Sequence, residues 1–178
     1  MGFFDRIFRI RANAPANPYD PTAAWPPSQG ASPQVNLEQE TVGSAFARLP
    51  FGSDVAEGQF LGRADDFSGN EHHFTLTYYK WGLDLSFEGR RLAEVWFRIG
   101  ASTVKRDMGD TAATPIGPDG LQLSAATTEA DLIARFGEPE SRQDFDDESI
   151  LYYNVGPLVS EFQLDGGKRL LAWTVYPD

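Results

Sequence analysis

A chain of 178 residues with a formal net charge of −11 and no cysteine is bounded in what it can be. It is long enough for one substantial core or two small ones packed together, and the missing thiols remove disulfides, thiolate metal sites, cysteine nucleophiles and lipidated cysteine. Clustered Lys and Arg, which phosphate binding requires, are lacking, so nucleic acid is a poor partner. No apolar run approaches the ~20 residues of a membrane span, no signal peptide is visible, and cytoplasmic residence is the expectation.

The acidity is uneven along the chain. Residues 1–11 carry Arg6, Arg9 and Arg11 against Asp5, a net of +2, which leaves −13 for the remainder. Met1 to Arg11 reads as a short amphipathic helix with Phe3, Phe4, Ile7 and Phe8 at helical spacing and Asp5, Arg6 and Arg9 on the other side. At ~10 residues it is marginal alone. It can contact a membrane through the four apolar residues, but docking on a partner or on its own body is favoured. Arg6 stands where a myristoylation signal needs Ser or Thr.

Residues 12–34 form a linker, because Pro15, Pro18, Pro21, Pro26, Pro27 and Pro33 forbid a regular helix or a central strand. Tyr19 and Trp25 are expected to pin it to the globular body. Residues 35–100 hold a first module. Leu37 to Leu49 reads as a helix with Val42, Ala45, Phe46 and Leu49 on one stripe. A second short helix starts at Asp54, where Glu57 completes a capping box, and stops at Gly62. Strands follow over His73–Tyr79, Leu83–Phe87 and Leu92–Ile99. Their period-two alternation implies an antiparallel sheet with one buried and one wet face.

Residues 101–120 read as a connecting loop. In the second module, residues 121–178, Thr128 and Asp131 cap a helix carrying Leu132, Ile133 and Phe136, which Gly137 and Pro139 end. Strands near Ile150–Tyr153, Leu158–Leu164 and Leu170–Tyr176 follow. The second module is a faint copy of the first: Gly62 and Gly137 stand 75 residues apart, and Gly82 and Gly156 stand 74 apart. Tyr78-Tyr79 matches Tyr152-Tyr153 in the same frame. The fold class expected is therefore α+β, two tandem modules of short helices on a three- to four-stranded antiparallel meander.

A capped helix running into a Phe-Gly-x-Pro turn, an acidic stretch, a Tyr-Tyr strand and two further strands resembles the unit of the beta-lactamase inhibitor protein. Small outer-membrane lipoproteins of the SmpA/OmlA type share that unit. Thr128, Phe136, Gly137, Pro139, Tyr152 and Tyr153 carry the likeness, and Ala64 departs from it where proline belongs. The resemblance implies two units in tandem presenting a combined sheet surface to a protein ligand. The missing lipidation cysteine argues against the lipoprotein role.

Chemistry-bearing motifs are absent. There is no nucleophile elbow, Ser-x-x-Lys, Walker loop or dinucleotide fingerprint, so neither catalytic residues nor a cofactor are expected. His72 and His73 are adjacent, point to opposite faces of a strand, and cannot form a facing metal pair. Asp144, Asp146, Asp147 and Glu148 form the densest acidic run, without the glycine a calcium loop needs. They read as a solvated turn or as an anionic patch meeting Lys or Arg of a partner. By alternation, Tyr79 and Trp96 fall on the wetter face of the first sheet near Asp84, Glu94 and Arg98. Aromatic and Arg groups on a rigid sheet make protein-binding hot spots, unless that face packs against the other module or the linker.

The function expected is stoichiometric binding: an immunity protein or inhibitor that occludes a basic toxin or enzyme, steered by opposite charge. Acidity also serves solubility. The alternative is a scaffold or assembly factor that uses the N-terminal helix to reach a membrane or complex.

Overall fold

The computed structural model describes residues 17–27, 34–36, 41–44, 47–100 and 121–178. The helix expected over 1–11 and the loop expected over 101–120 lie outside the described residues.

Three short strands come first: β1 (Gln34–Asn36), β2 (Thr41–Ser44) and β3 (Ala47–Pro50), an antiparallel sheet of their own. The helix expected over Leu37–Leu49 is thus overturned. Val42 and Leu49, read as neighbours on a helical stripe, are cross-strand partners in the β2–β3 ladder. Both patterns bring two apolar residues together, and only pairing between chain segments separates them.

The remaining strands are β4 (Asp66–Gly69), β5 (His73–Tyr78), β6 (Leu83–Glu88), β7 (Arg91–Arg98), β8 (Ser141–Asp144), β9 (Glu148–Val155), β10 (Leu158–Asp165) and β11 (Leu170–Pro177). They make one eight-stranded antiparallel sheet in the order β4-β5-β6-β7-β11-β10-β9-β8. Helical structure among the described residues amounts to α1 (Glu129–Phe136), a 3-10 helix over Val55–Leu61 and a single 3-10 turn at Tyr79–Trp81. The α+β expectation of two tandem helix-and-meander modules is therefore corrected: the fold is predominantly β, built on one continuous sheet.

The reason lies in β7 and β11. Each ends a four-stranded meander, and each uses its free edge on the other, pairing Arg98 with Ala172, Phe97 with Trp173, Trp96 with Thr174 and Val95 with Val175. With both edges paired, β11 sits at the middle of the sheet, Trp173 and Val175 facing the core and Ala172, Thr174 and Tyr176 facing the other side. The ladder has a local two-fold between Trp96 and Thr174, since Phe97–Trp173 and Val95–Val175 exchange under it.

Recurring residues take matching places on the two sides of this axis. The Tyr78 hydroxyl donates to the Gly62 carbonyl at 3.1 Å, and the Tyr153 hydroxyl to the Gly137 carbonyl at 3.2 Å. Gly62 and Gly137 both have positive φ, 74° and 84°, a conformation that favours glycine. Capping boxes close Asp54 with Glu57 and Thr128 with Asp131. Isolated bridges tie Asp54 to Arg91 and Thr128 to Arg169.

One face of the sheet carries the core. Phe74, Leu76, Tyr78, Leu85, Val95, Phe97, Leu151, Phe162, Trp173 and Val175 are buried with Leu132 of α1 and with Val55 and Leu61 of the 3-10 helix. At its centre Phe97 stacks on Trp173 at 5.4 Å, and Trp173 on Phe162 at 6.0 Å with nearly parallel rings. The first of these contacts crosses the β7–β11 junction and the second carries it on to β10, so burial at ~1.5–3 kcal/mol per large side chain holds the halves together. Segment 17–27 is anchored too. Trp25 packs against the core, fully buried Thr22 accepts the Ala64 amide at 3.1 Å through its hydroxyl, and the Arg63 amide donates to the Pro26 carbonyl. Of the two expected pins only Trp25 serves, because Tyr19 is exposed.

Candidate functional site

The other face of the sheet carries polar and aromatic side chains. One row of cross-strand neighbours crosses all eight strands: Asp66, Thr77, Asp84, Trp96, Thr174, Glu161, Tyr152 and Ser141. Because the halves lie side by side in one sheet, they do not pack face to face here. The polar surfaces of both meanders run on as one.

Two carboxylates occupy matching positions in this row, Asp84 on β6 and Glu161 on β10, and each is met from the neighbouring strand. Arg98 of β7 donates from one guanidinium nitrogen to both oxygens of Asp84, at 2.7 and 2.8 Å. Tyr176 of β11, 78 residues on, donates its hydroxyl to Glu161 Oε1 at 2.5 Å. The first half thus sets a cation against its carboxylate and the second a neutral phenol. Asp84 is only 5% exposed. Its burial raises the carboxyl pKa, and Arg98 and the Thr77 hydroxyl oppose that shift. Asp84, expected as a partner-binding residue, has its carboxylate paired with Arg98 within the chain.

Glu94 is the group without such compensation. It is half-buried, and its pKa is raised by burial first and then by Glu161, Asp84 and Glu88. No hydrogen bond or ion pair joins it to another described residue. Glu161 in turn helps to raise the pKa of Tyr152, after burial, and Tyr176 is raised by burial, by its bond to Glu161, and by Tyr152 and Glu94. Glu94, Glu161, Tyr152 and Tyr176 therefore form one electrostatic neighbourhood beside Trp96.

Arg98 extends the patch toward β4. Its guanidinium lies 5.3 Å from the Trp96 ring and 6.0 Å from that of Tyr79. Tyr79 donates its amide to the Asp65 carboxylate at 2.7 Å and its hydroxyl to Asp66 at 3.1 Å. Burial and the Asp66 carboxylate push its pKa up to about 12.

The structure thus gathers Tyr79, Asp84, Glu94, Trp96 and Arg98 on one face. It places Asp144, Asp146, Asp147 and Glu148 elsewhere, at the exposed β8–β9 turn. There Asp144 pairs with Arg142 at 2.7 Å, and Glu148 accepts from Gln163 at 2.7 Å. Phe145 stands exposed between them. Among the described residues no group of three metal-binding side chains occurs. His72 lies 3.5 Å from Glu71 with both side chains open to solvent. An open cleft of about 410 Å³ is lined by Tyr19, Glu71, His72, Phe74 and Arg90, but the guanidinium of Arg90 is occupied by Asp54.

Sequence reasoning missed Glu161, Tyr152 and Tyr176. Their alternation with buried Phe162, Tyr153 and Val175 was readable. Their role depended on β11 joining β7, which is what brings them beside Glu94.

No family model matches the chain, and neither does any curated protein. Two solved structures are similar in outline. One is a DUF4309 family protein from Bacillus subtilis, 12% identical, with 69% of this chain and 76% of that chain covered and a TM-score of 0.42. The other is a cysteine-rich secretory protein from Staphylococcus aureus, 13% identical, with 89% and 49% covered and a TM-score of 0.49. The chain thus spans about half the length of the latter.

Proposed function

We propose that this chain is a non-catalytic, acidic protein-binding protein that uses the polar face of its sheet to engage a basic partner. The most concrete form of the reading is an immunity protein or inhibitor that occludes a toxin or enzyme. One observation supports it above the others: Glu94 and Glu161 lie in one electrostatic neighbourhood among Trp96, Tyr152 and Tyr176, with no cation from the described residues joined to either carboxylate. Holding two half-buried carboxylates close raises their free energy, and an incoming Lys or Arg relieves it. Flanking rings give that cation faces to stack on and supply rigid contact area of the kind that dominates interface energetics. The net charge of −11 adds steering of a basic protein toward this body.

The test is capture by the tagged chain from its native host at low and high salt, in parallel with the Glu94→Gln/Glu161→Gln variant. The reading expects one basic polypeptide in equimolar amount, lost with the double variant. Capture that is promiscuous, or indifferent to both substitutions, refutes it.

A further inference from the structure

We infer that the cation this face receives is an arginine side chain of the partner protein, seated over Thr174 between the Trp96 ring and the Glu161 carboxylate. The inference rests on the proposed role of the face as a surface for cations. The chain itself supplies the pattern, because its two halves differ at this point. Under the local two-fold of the β7–β11 ladder, Trp96 corresponds to Thr174 and Arg98 to Tyr176. Asp84 lies opposite Trp96 on β6 and Glu161 opposite Thr174 on β10, so the two carboxylates correspond as well.

In the first half the arrangement is complete. Arg98 donates to both oxygens of Asp84 and lies against the Trp96 ring, and the carboxylate is buried. The second half keeps the carboxylate but replaces both residues that close over its counterpart, tryptophan by threonine and arginine by tyrosine. Ala172 and Thr174 leave little side chain along this stretch of β11, and Glu161 stays half-buried, bonded through one oxygen to the Tyr176 hydroxyl. Thr174 has Trp96 as its neighbour on one side and Glu161 on the other, a span of two strand spacings, ~10 Å. A guanidinium bridges such a span in the way Arg98 shows, with its carbon 5.3 Å from the ring centroid and one nitrogen 2.7 and 2.8 Å from the two carboxylate oxygens. Arginine suits this seat better than lysine. Its planar fork lays a face on the indole while its edge donates to carboxylates, and it gives up its water more readily than an ammonium does. Glu94, two residues before Trp96 on the same face, offers that fork a second carboxylate.

NMR titration of the isotope-labelled full chain tests this, with the capped peptides acetyl-Gly-Arg-Gly-amide and acetyl-Gly-Lys-Gly-amide at constant ionic strength and the tryptophan indole N–H signals as readout. The arginine peptide should shift the Trp96 signal and bind at least about fivefold more tightly than the lysine peptide, the scale of stacking a desolvated guanidinium on a ring. Trp25, Trp81 and Trp173, which pack in or against the core, should not respond. Tyr176→Arg supplies in the second half the cation that Arg98 supplies in the first, and should abolish the response. Glu161→Gln, close in size to the original, should abolish it too, and decides the matter if melting shows Tyr176→Arg to be unfolded. Equal affinities for the two peptides, silence at Trp96, or a response that survives Glu161→Gln overturns the inference. Equal affinities or silence, together with partner capture lost in the Glu94→Gln/Glu161→Gln variant, defeats this inference alone. An arginine-selective response at Trp96 with capture indifferent to those two residues defeats the proposed function and leaves the arginine seat intact.

Discussion

Replacing Arg98 with methionine removes the cation of the Arg98–Asp84 ion pair on the polar face. Arg98 and Asp84 have side chains 22% and 7% exposed, so solvent screens the pair little, and Arg98→Met leaves a carboxylate in a site whose burial already raises its pKa. Removing one partner of such a pair costs ~3–5 kcal/mol. For a chain of this size each kcal/mol is worth about 2–4 °C of Tm, so the variant should melt ~6–20 °C lower at pH 7. The pH dependence fixes the cause. With Arg98 gone the folded-state pKa of Asp84 rises further above its unfolded value, so the folded chain holds a proton that the unfolded chain releases. Stability is then lost as pH rises through that interval and recovered as pH falls. Thermal melts of both proteins from pH 4.5 to 8 should show the gap narrowing toward acid. A gap under 1 kcal/mol at pH 7, or one independent of pH, refutes the argument. The double variant Arg98→Met/Asp84→Leu should regain most of the loss, since an apolar replacement of a buried pair is often neutral.

Other outcomes follow from the same structure. Tyr78→Phe and Tyr153→Phe each delete a hydroxyl donating to a glycine carbonyl and should each cost ~1–2 kcal/mol by chemical denaturation, the fully buried Tyr78 at least as much as Tyr153. Glu94→Gln should raise Tm at pH 7 and leave it unchanged near pH 4, because a group with a raised folded pKa destabilises only above its ordinary value. Thr128→Ala removes the hydroxyl that receives the Asp131 amide and should cost ~1 kcal/mol. Gly69→Ala places a methyl 2.2 Å from the His73 carbonyl oxygen at a φ of +117°; hydrogen exchange should show β4 detached from β5 while β6, β7, β10 and β11 stay protected.

How much of this was legible in the sequence depended on how locally each feature is encoded. Alternation in Phe74-Leu76-Tyr78 and Leu83-Leu85-Phe87 fixed strands that pack on a core, and Thr128 with Asp131 fixed the start of α1. Edge strand β8 escaped because Ser141 to Asp144 are all polar and exposed, and β4 because only Phe67 of its four residues packs against the core. The joining of the meanders escaped as well, because pairing through the free edges of β7 and β11 leaves no mark on either strand's side-chain pattern. At the site, Trp96 and Glu94 were readable from period two alone. Asp84 was expected to be wet, but its burial comes from Arg98, Thr77 and Trp96 around it, which sequence spacing does not report. Glu161 and Tyr176 needed the β7–β11 pairing before they could be placed beside Glu94.

The central claim is that Glu94 and Glu161 receive a cation from a protein partner. Its most direct measurement is the affinity of the captured partner for the wild-type chain and for Glu94→Gln/Glu161→Gln, by calorimetry at two salt concentrations. The account predicts a loss of at least ~2 kcal/mol, the scale of an interface hot spot, and a salt dependence that shrinks with the carboxylates gone. Equal affinities with equal salt dependence would contradict it.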